Sequence, residues 1–165
     1  MAKAVLMSIH PEWVNRIISG EKTIEIRKTC PNLKTPFKCY IYETQGKGDT
    51  PWIGEDGHII SRGCGKVVGE FACDRIDPIN PATEPYGIYD IDDDFVVQTC
   101  LENGALWEYG HGKVLYSWHI SELKIYDEPK QLNEFTGLRK SKFGTLPYTI
   151  EKAPQSWCYV EELEQ

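Results

Sequence analysis

The chain has 165 residues, of which 41% are hydrophobic and 12% aromatic, and its formal net charge is −7 at pH 7. This composition is typical of a globular protein and excludes an intrinsically disordered one. Since the sequence has no run of 18 apolar residues and an acidic chain binds long duplex DNA poorly, we expect a cytoplasmic protein with neither a membrane nor duplex DNA as partner.

A chain of this length is expected to form one domain over residues 1–165. Its six cysteines are scattered, without a Cys-x-x-Cys pair or paired histidines, so we expect reduced thiols, no metal site and no cofactor. Cys39, Cys73 and Cys158 fall within apolar strand patterns and are expected to be buried.

The first elements are a strand, a helix and two more strands. Lys3–Ile9 is predicted to be the first strand, and Pro11 suits the first position of a helix that Gly20 ends. The apolar stripe of this helix consists of Trp13, Val14, Ile17 and Ile18. The next two predicted strands are Thr23–Lys28 and Phe37–Glu43.

A long connection, residues 44–65, contains six glycines and is expected to be a functional loop or an insertion. Trp52 is a candidate lid residue in it, and His58–Ile60 is a candidate short hairpin. The following strand, Lys66–Ile76, is predicted to place Val67 and Phe71 on one face and Glu70 on the other.

The second half of the chain is predicted to contain short helices and more strands. Asp92–Asp94 supply capping oxygens for a helix through about Leu101, and a metal site is the less favoured interpretation of this triplet. The remaining predicted elements are helical turns at 105–109 and 130–135 and strands at 113–121, 123–126 and 156–160. With antiparallel-type connections, this order predicts an α+β fold, a small mixed β-barrel of about six strands with flanking short helices.

The segment from Gly20 to Arg27 is the strongest candidate site. Period-2 alternation places Glu25 and Arg27 on one strand face, and Lys22 at the preceding turn can reach over the same face. A Lys/Glu/Arg group at a strand end can hold a polar or anionic molecule such as a nucleotide. A solvated strand face with a local ion pair remains an equally weighted alternative.

The charges are unevenly distributed along the chain. Residues 1–48 carry eight Lys or Arg against four Asp or Glu, whereas residues 49–110 carry three against thirteen. A second basic cluster lies at Arg139–Lys142. A basic patch on an acidic body suits a small or single-stranded polyanion, or a balanced surface without a partner.

Several motifs together resemble the ASCH domain family of the PUA-like superfamily. The family's Gly-x-Lys-x-x-Glu-x-Arg pattern is present as Gly20, Lys22, Glu25 and Arg27. The other matching segments are Ser8–Pro11, Gly69–Phe71, Cys73-Asp74, Trp118–Ile120 and Pro154–Trp157. This resemblance implies a PUA-like barrel with a cleft, floored by the three charged residues, that takes single-stranded RNA or a modified nucleoside.

The resemblance also suggests roles for individual residues. Lys22 and Arg27 would contact phosphate or carbonyl oxygens, Glu25 the amino edge of a base, and Trp157 the face of a ring. The further ligand-binding candidates are Ser8, Glu70, His119, Gln155 and Ser156, although a structural role is the favoured interpretation of His119. Trp118 is expected to lie in the core.

Two other functions remain open. Some ASCH proteins resemble amidohydrolases of N-acetylated cytidine, and others have been proposed as ribonucleases. As an enzyme, this chain would use Lys22 and either Glu25 or Glu70, with Glu25 standing where the amidohydrolase pattern has Thr. The last alternative is an interaction module without ligand chemistry.

Overall fold

The computed structural model describes residues 2–46, 52–53, 57, 59–60 and 62–164. The first half forms β1 (Lys3–Ile9), α1 (Pro11–Ile18), β2 (Ile24–Arg27), β3 (Phe37–Glu43), β4 (Trp52–Ile53), β5 (Ile59–Ile60) and β6 (Lys66–Ile79). The second half forms α2 (Asp93–Thr99), α3 (Asn103–Gly110), β7 (Leu115–Lys130), a 3-10 turn (Leu132–Glu134), β8 (Thr136–Ser141), β9 (Gly144–Thr149) and β10 (Trp157–Glu161). The expected α+β class is confirmed.

Eight strands form one sheet in the order β2-β7-β6-β3-β1-β10-β8-β9. In the described residues the two end strands, β2 and β9, do not pair, so the expected closed barrel of about six strands is not confirmed. All neighbouring pairs are antiparallel except β1 and β3, which are parallel because α1 and β2 intervene and carry the chain back. The expected antiparallel-type connections are therefore present at every neighbouring pair of this sheet except this one.

The structure has one strand where two were predicted, and it contains one hairpin that the sequence did not indicate. The chain forms the long β7 where two strands were expected, because pairing with β6 resumes after Glu122, which takes a left-handed conformation (φ 49°) where the ladder shifts register. The hairpin β8–β9 was not predicted. Its strands contain many polar residues together with Gly137. A glycine is required at this position because an added Cβ would lie 2.3 Å from the Tyr148 ring.

The long connection after β3 contains the short antiparallel hairpin β4–β5. His58 and the side chain of Trp52, the candidate lid residue, lie outside the described part of the chain. None of the described helices is long and apolar enough to cross a membrane.

Apolar side chains pack on both faces of the sheet. α1 packs with Phe71, Cys73 and Trp118 on one face, and Val67 packs with Tyr40 and Phe135 in a second cluster on the other. Val67 and Phe71 were expected to share a face, but the ladder between β6 and β7 shifts register between residues 67 and 69 and again between 70 and 72. These bulges change the side-chain alternation. Trp118 is fully buried, as expected, and so are Cys39 and Cys73, whereas Cys158 is only partly buried.

Candidate functional site

A cavity of about 570 Å³ lies beside α1 and is floored by Lys22, Glu25 and Arg27. We call these three residues the charged cluster. β2 places Glu25 and Arg27 toward the cavity because Ile24 and Ile26 point into an apolar cluster on the other side. The three residues are only 2%, 6% and 8% exposed, respectively, so this face is not a solvated ion pair.

Glu25 lies between the two cations. Its Oε1 is 3.2 Å from Nη2 of Arg27, and its Oε2 is 3.6 Å from Nζ of Lys22. With one carboxylate against two cationic groups, the cluster carries an excess of positive charge when all three are ionised. A buried excess of positive charge favours a ligand with anionic or carbonyl oxygens.

Arg27 is fixed from two neighbouring segments. Nη2 donates a hydrogen bond to the Ser8 carbonyl (2.8 Å), while Nη1 donates to the carbonyl and hydroxyl oxygens of Ser156 (3.4 and 3.3 Å). Ser8 itself donates through Oγ to the Pro154 carbonyl (2.6 Å) and through its amide to the Ser156 carbonyl (2.9 Å). These bonds hold the guanidinium in one orientation and bring Ser8 and Ser156 to the cavity wall.

Lys22 is held by the end of α2. Its Nζ donates to the Thr99 carbonyl (2.6 Å), at the helix C-terminus where the partial negative charge of the helix favours a cation. The same Nζ lies 5.1 Å from the centroid of the Trp13 ring. Burial, opposed mainly by the Glu25 carboxylate, lowers the pKa of Lys22 below its usual value.

Three buried polar atoms around the cavity have no hydrogen-bond partner within the described residues. They are Oε2 of Glu25, Nε of Arg27 and Oγ1 of Thr44. Buried polar groups nearly always have a partner. A carboxylate acceptor, a guanidinium donor and a hydroxyl that can donate or accept are therefore suited to a polar molecule bound in the cavity.

Two aromatic rings, each from a different helix, and one histidine complete the walls of the cavity. Trp13 comes from α1, and Tyr109 comes from α3, where the Lys28 ammonium lies 4.7 Å from its ring centroid. His10 precedes α1, and burial, followed by the nearby Arg27 charge, lowers its pKa. Burial also raises the pKa of Tyr109.

The structure brings six of the nine sequence-predicted ligand-binding residues to the cavity, namely Ser8, Lys22, Glu25, Arg27, Gln155 and Ser156. Trp157 lies beside it: its Nε1 donates to Oγ1 of Thr29 (3.0 Å), and its ring packs against Trp118 and Tyr159. Trp157 is not among the residues that line the cavity, so its contact with the face of a ligand ring stays a prediction.

Glu70 and His119 lie away from the cavity. Glu70 accepts a very short hydrogen bond from the Tyr126 hydroxyl and forms an ion pair with Lys38 (3.2 Å). Glu70 is paired opposite Tyr40 of β3, so its side chain lies on the face of the second apolar cluster. His119 was a cleft candidate, but Trp118 is the residue paired opposite Glu25. His119 therefore points to the other face, where its Nε2 lies 3.1 Å from Oδ2 of Asp77.

Sequence reasoning missed the aromatic walls. Trp13 was predicted only as part of the apolar stripe of α1, although its position shortly before the Gly20–Arg27 motif could have indicated a place beside the charged cluster. Tyr109 gave no such signal, because it is far from β2 in sequence and reaches the cavity only through the packing of α3.

The described part of the chain contains no group of three or more His, Cys, Asp or Glu side chains that could hold a metal ion. Burial raises the pKa of Cys73 to about 12 and that of Cys39 well above its usual value. Neither thiol lines the cavity, so the polar chemistry available there is that of amine, carboxylate, guanidinium, imidazole, amide and hydroxyl groups.

The family model described as "ASCH domain" matches residues 7–152 of this chain. A crystal structure of ASCH from Zymomonas mobilis aligns with a TM-score of 0.54 and 15% identity, covering 96% of this chain and 88% of that one. A point mutant of the Zymomonas mobilis protein aligns with a TM-score of 0.53 and 15% identity, covering 98% and 92% of the two chains. These structural likenesses concern the fold, and no curated protein matches the sequence.

Proposed function

Because this chain belongs to the ASCH domain family, a PUA-like family with proposed RNA-binding roles, we propose that its cavity binds a modified nucleoside or one base of single-stranded RNA. The observation that carries the proposal is the charged cluster on the cavity floor, with Oε2 of Glu25 and Nε of Arg27 lacking partners within the described residues. The edge of a base, with its amino donor and carbonyl acceptor side by side, matches this pair of unpartnered atoms.

The size and walls of the cavity support a nucleoside-sized ligand. A volume of about 570 Å³ falls within the roughly 300–1,000 Å³ of small-molecule sites. Trp13 and Tyr109 supply aromatic surface, the role first assigned to Trp157, and stacking of a base on such a ring is worth about 1–3 kcal/mol. Lys22 and Arg27 would bind the oxygens of the ligand, and Glu25 would accept from its amino group.

A second candidate function is hydrolysis of an N-acylated cytidine, and the contact between Glu25 and Lys22 favours it. Glu25 would take a proton from water as the oxygen attacks the acyl carbon, and Lys22 would stabilise the oxyanion that forms. The amide C–N bond would then break, with Glu25 returning the proton to the leaving amine. Glu70 has no part in this scheme, because it lies on the other face of the sheet.

The test is a thermal-shift and calorimetric screen of nucleosides, N-acetylated cytidine and short single-stranded RNAs. We expect at least one of these ligands to raise the melting temperature of the wild-type protein. Arg27→Gln is expected to weaken that binding about 10- to 100-fold, since a hydrogen bond to a charged group contributes about 1.5–3 kcal/mol. Lys124→Ala, an exposed cation outside the cavity, is the control and should bind as the wild type does.

Chromatography of the same mixtures separates binding from catalysis. Release of cytidine by the wild type and none by Glu25→Gln supports the hydrolase, whereas binding without product supports the binding protein. If no nucleoside or RNA binds, the proposal is wrong and an interaction module without ligand chemistry remains.

A further inference from the structure

A second depression, of about 200 Å³, lies where β1, β10 and the β8–β9 hairpin meet. Lys3, Asn32, Lys140 and Tyr159 are among the residues that line it. None of them belongs to the charged cluster or its cavity, and the proposed function leaves this depression without a role.

The strand register places both lysines on one face. Tyr159 pairs with Val5 on one side and with Leu138 on the other, and Lys3 and Lys140 each lie two residues from those partners. They therefore share the face of Tyr159. Neither lysine forms an ion pair within the described residues, although Glu161 stands opposite Lys3 in the ladder. Arg139 also lines the depression, although its guanidinium lies 5.9 Å from the Tyr148 ring centroid.

The depression is connected to the cavity by direct contacts. Thr29 lines the cavity and accepts the hydrogen bond from Trp157. The Trp157 ring packs edge-on against Tyr159, with 5.2 Å between centroids. The Tyr159 hydroxyl in turn accepts a hydrogen bond from the backbone amide of Asn32 (2.8 Å). Trp157 and Tyr159 are two residues apart on β10, so their Cα atoms are about 7 Å apart. The second depression therefore begins one or two side chains beyond the cavity wall.

The surface along this path is basic, although the protein as a whole is acidic. Residues 28–34, which join the two sites, carry two lysines and no acidic residue, and the hairpin, residues 136–149, carries three Lys or Arg and no acidic residue. The protein as a whole has a net charge of −7, whereas these two neighbouring segments carry no Asp or Glu side chain. They therefore form a surface complementary to a polyanion.

We propose that the second depression binds a backbone phosphate of single-stranded RNA, with a neighbouring base in the cavity floored by the charged cluster. This inference rests on the proposed function and narrows it to an oligoribonucleotide. Lys3 and Lys140 provide the charge, and Asn32 and Tyr159 lie between them and the cavity. A free nucleoside, by contrast, occupies the cavity alone.

The experiment compares cytidine and oligocytidylates of two to six nucleotides by calorimetry, at two salt concentrations. The variant is Lys3→Ala/Lys140→Ala, and the control is Lys113→Ala/Lys124→Ala, which removes two exposed cations from outside both sites. We expect the wild type and the control to bind oligocytidylates more tightly than cytidine. The variant should lose this gain, an effect on the order of tenfold for two exposed charge contacts, and should bind cytidine unchanged.

The salt dependence supplies an independent readout. Removing two phosphate contacts should make the slope of log affinity against log salt shallower by about 1.4, as expected for a single strand. The inference is wrong if cytidine binds and the wild type gains nothing from longer chains, or if the variant keeps the gain. Failure of the proposed function appears separately, as nucleoside binding that Arg27→Gln leaves unchanged.

Discussion

Glu25 is the only acidic member of the charged cluster, and it has to balance two buried cations. Both carboxylate oxygens face a positive group, at 3.2 and 3.6 Å, and all three residues are almost fully buried. Burying such a cluster of charges costs desolvation energy. Removing one of its members costs far more, because the remaining charges stay buried without a counter-charge. The same shortage of negative charge leaves the site able to accept a ligand that carries oxygen atoms.

Glu25→Gln is expected to destabilise the ligand-free protein by about 3–5 kcal/mol, since it leaves Lys22 and Arg27 buried without a counter-charge. Urea denaturation followed by tryptophan fluorescence measures the change. Glu128→Gln, at an exposed position, should change the free energy of unfolding by less than about 0.5 kcal/mol. An equal, small effect of both substitutions would contradict the importance of the cluster for stability.

His10 is expected to make stability fall as the pH is lowered. Burial, followed by Arg27, holds its pKa in the folded state below the usual 6.5. Below pH 6.5 the unfolded chain therefore takes up a proton that the folded chain resists, and the free energy of unfolding declines until the folded-state pKa is passed. His10→Asn should reduce this decline between pH 7 and 5.5, as measured by urea denaturation at each pH.

At the scale of elements, the short helix α2 positions Lys22. Its C-terminal end accepts the Lys22 ammonium at Thr99 and the Thr23 amide at Gln98. At its other end, the Asp92 carboxylate caps the helix by accepting from the Phe95 amide (2.8 Å). A helix of seven residues depends on such end contacts, because it is too short to be stable by itself.

Asp92→Ala is expected to cost about 1 kcal/mol of stability, as the loss of an N-cap usually does. Because α2 holds Lys22, amide exchange of Val96–Thr99 should become faster and binding in the cavity weaker. Asp90→Ala removes a nearby exposed carboxylate that does not cap the helix and should have neither effect. Hydrogen exchange read by mass spectrometry and a repeat of the ligand titration would check both points. Unchanged exchange in α2 after Asp92→Ala would contradict this dependence.

At the scale of the whole molecule, the negative net charge is expected to restrict which nucleic acid can bind. Residues 49–110 carry thirteen acidic residues against three basic ones, whereas the two basic segments lie together beside the cavity. A short flexible strand can follow the basic path, while a rigid duplex would bring further phosphates close to the acidic surface. The arrangement thus favours a single strand.

Competition binding tests this preference. A duplex of the same length and sequence should displace a bound oligoribonucleotide at least about tenfold less well than the single strand, and the difference should shrink as salt screens the repulsion. Equal competition by the duplex at physiological salt would contradict the expected role of the acidic surface.

Local chemistry made part of this protein predictable. Pro11 and Gly20 bounded the first helix, Asp92 capped the next one, and the alternation of Ile24–Arg27 separated the charged face from the apolar one. These signals act over a few residues, so they do not depend on how the rest of the chain folds. The family motif at Gly20–Arg27 likewise identified the charged cluster.

Long-range pairing decided the rest. The pairing of β6 with β3 placed Glu70 on the far face, the register of β2 on β7 turned His119 away and put Trp118 opposite Glu25, and α3 brought Tyr109 to the cavity wall. Sequence patterns specify alternation within one strand, but which face meets which partner depends on the register of a ladder formed by distant segments. The charged residues were therefore determined by the sequence alone, whereas their enclosure, their aromatic walls and the second depression beside them were decided only by the tertiary structure.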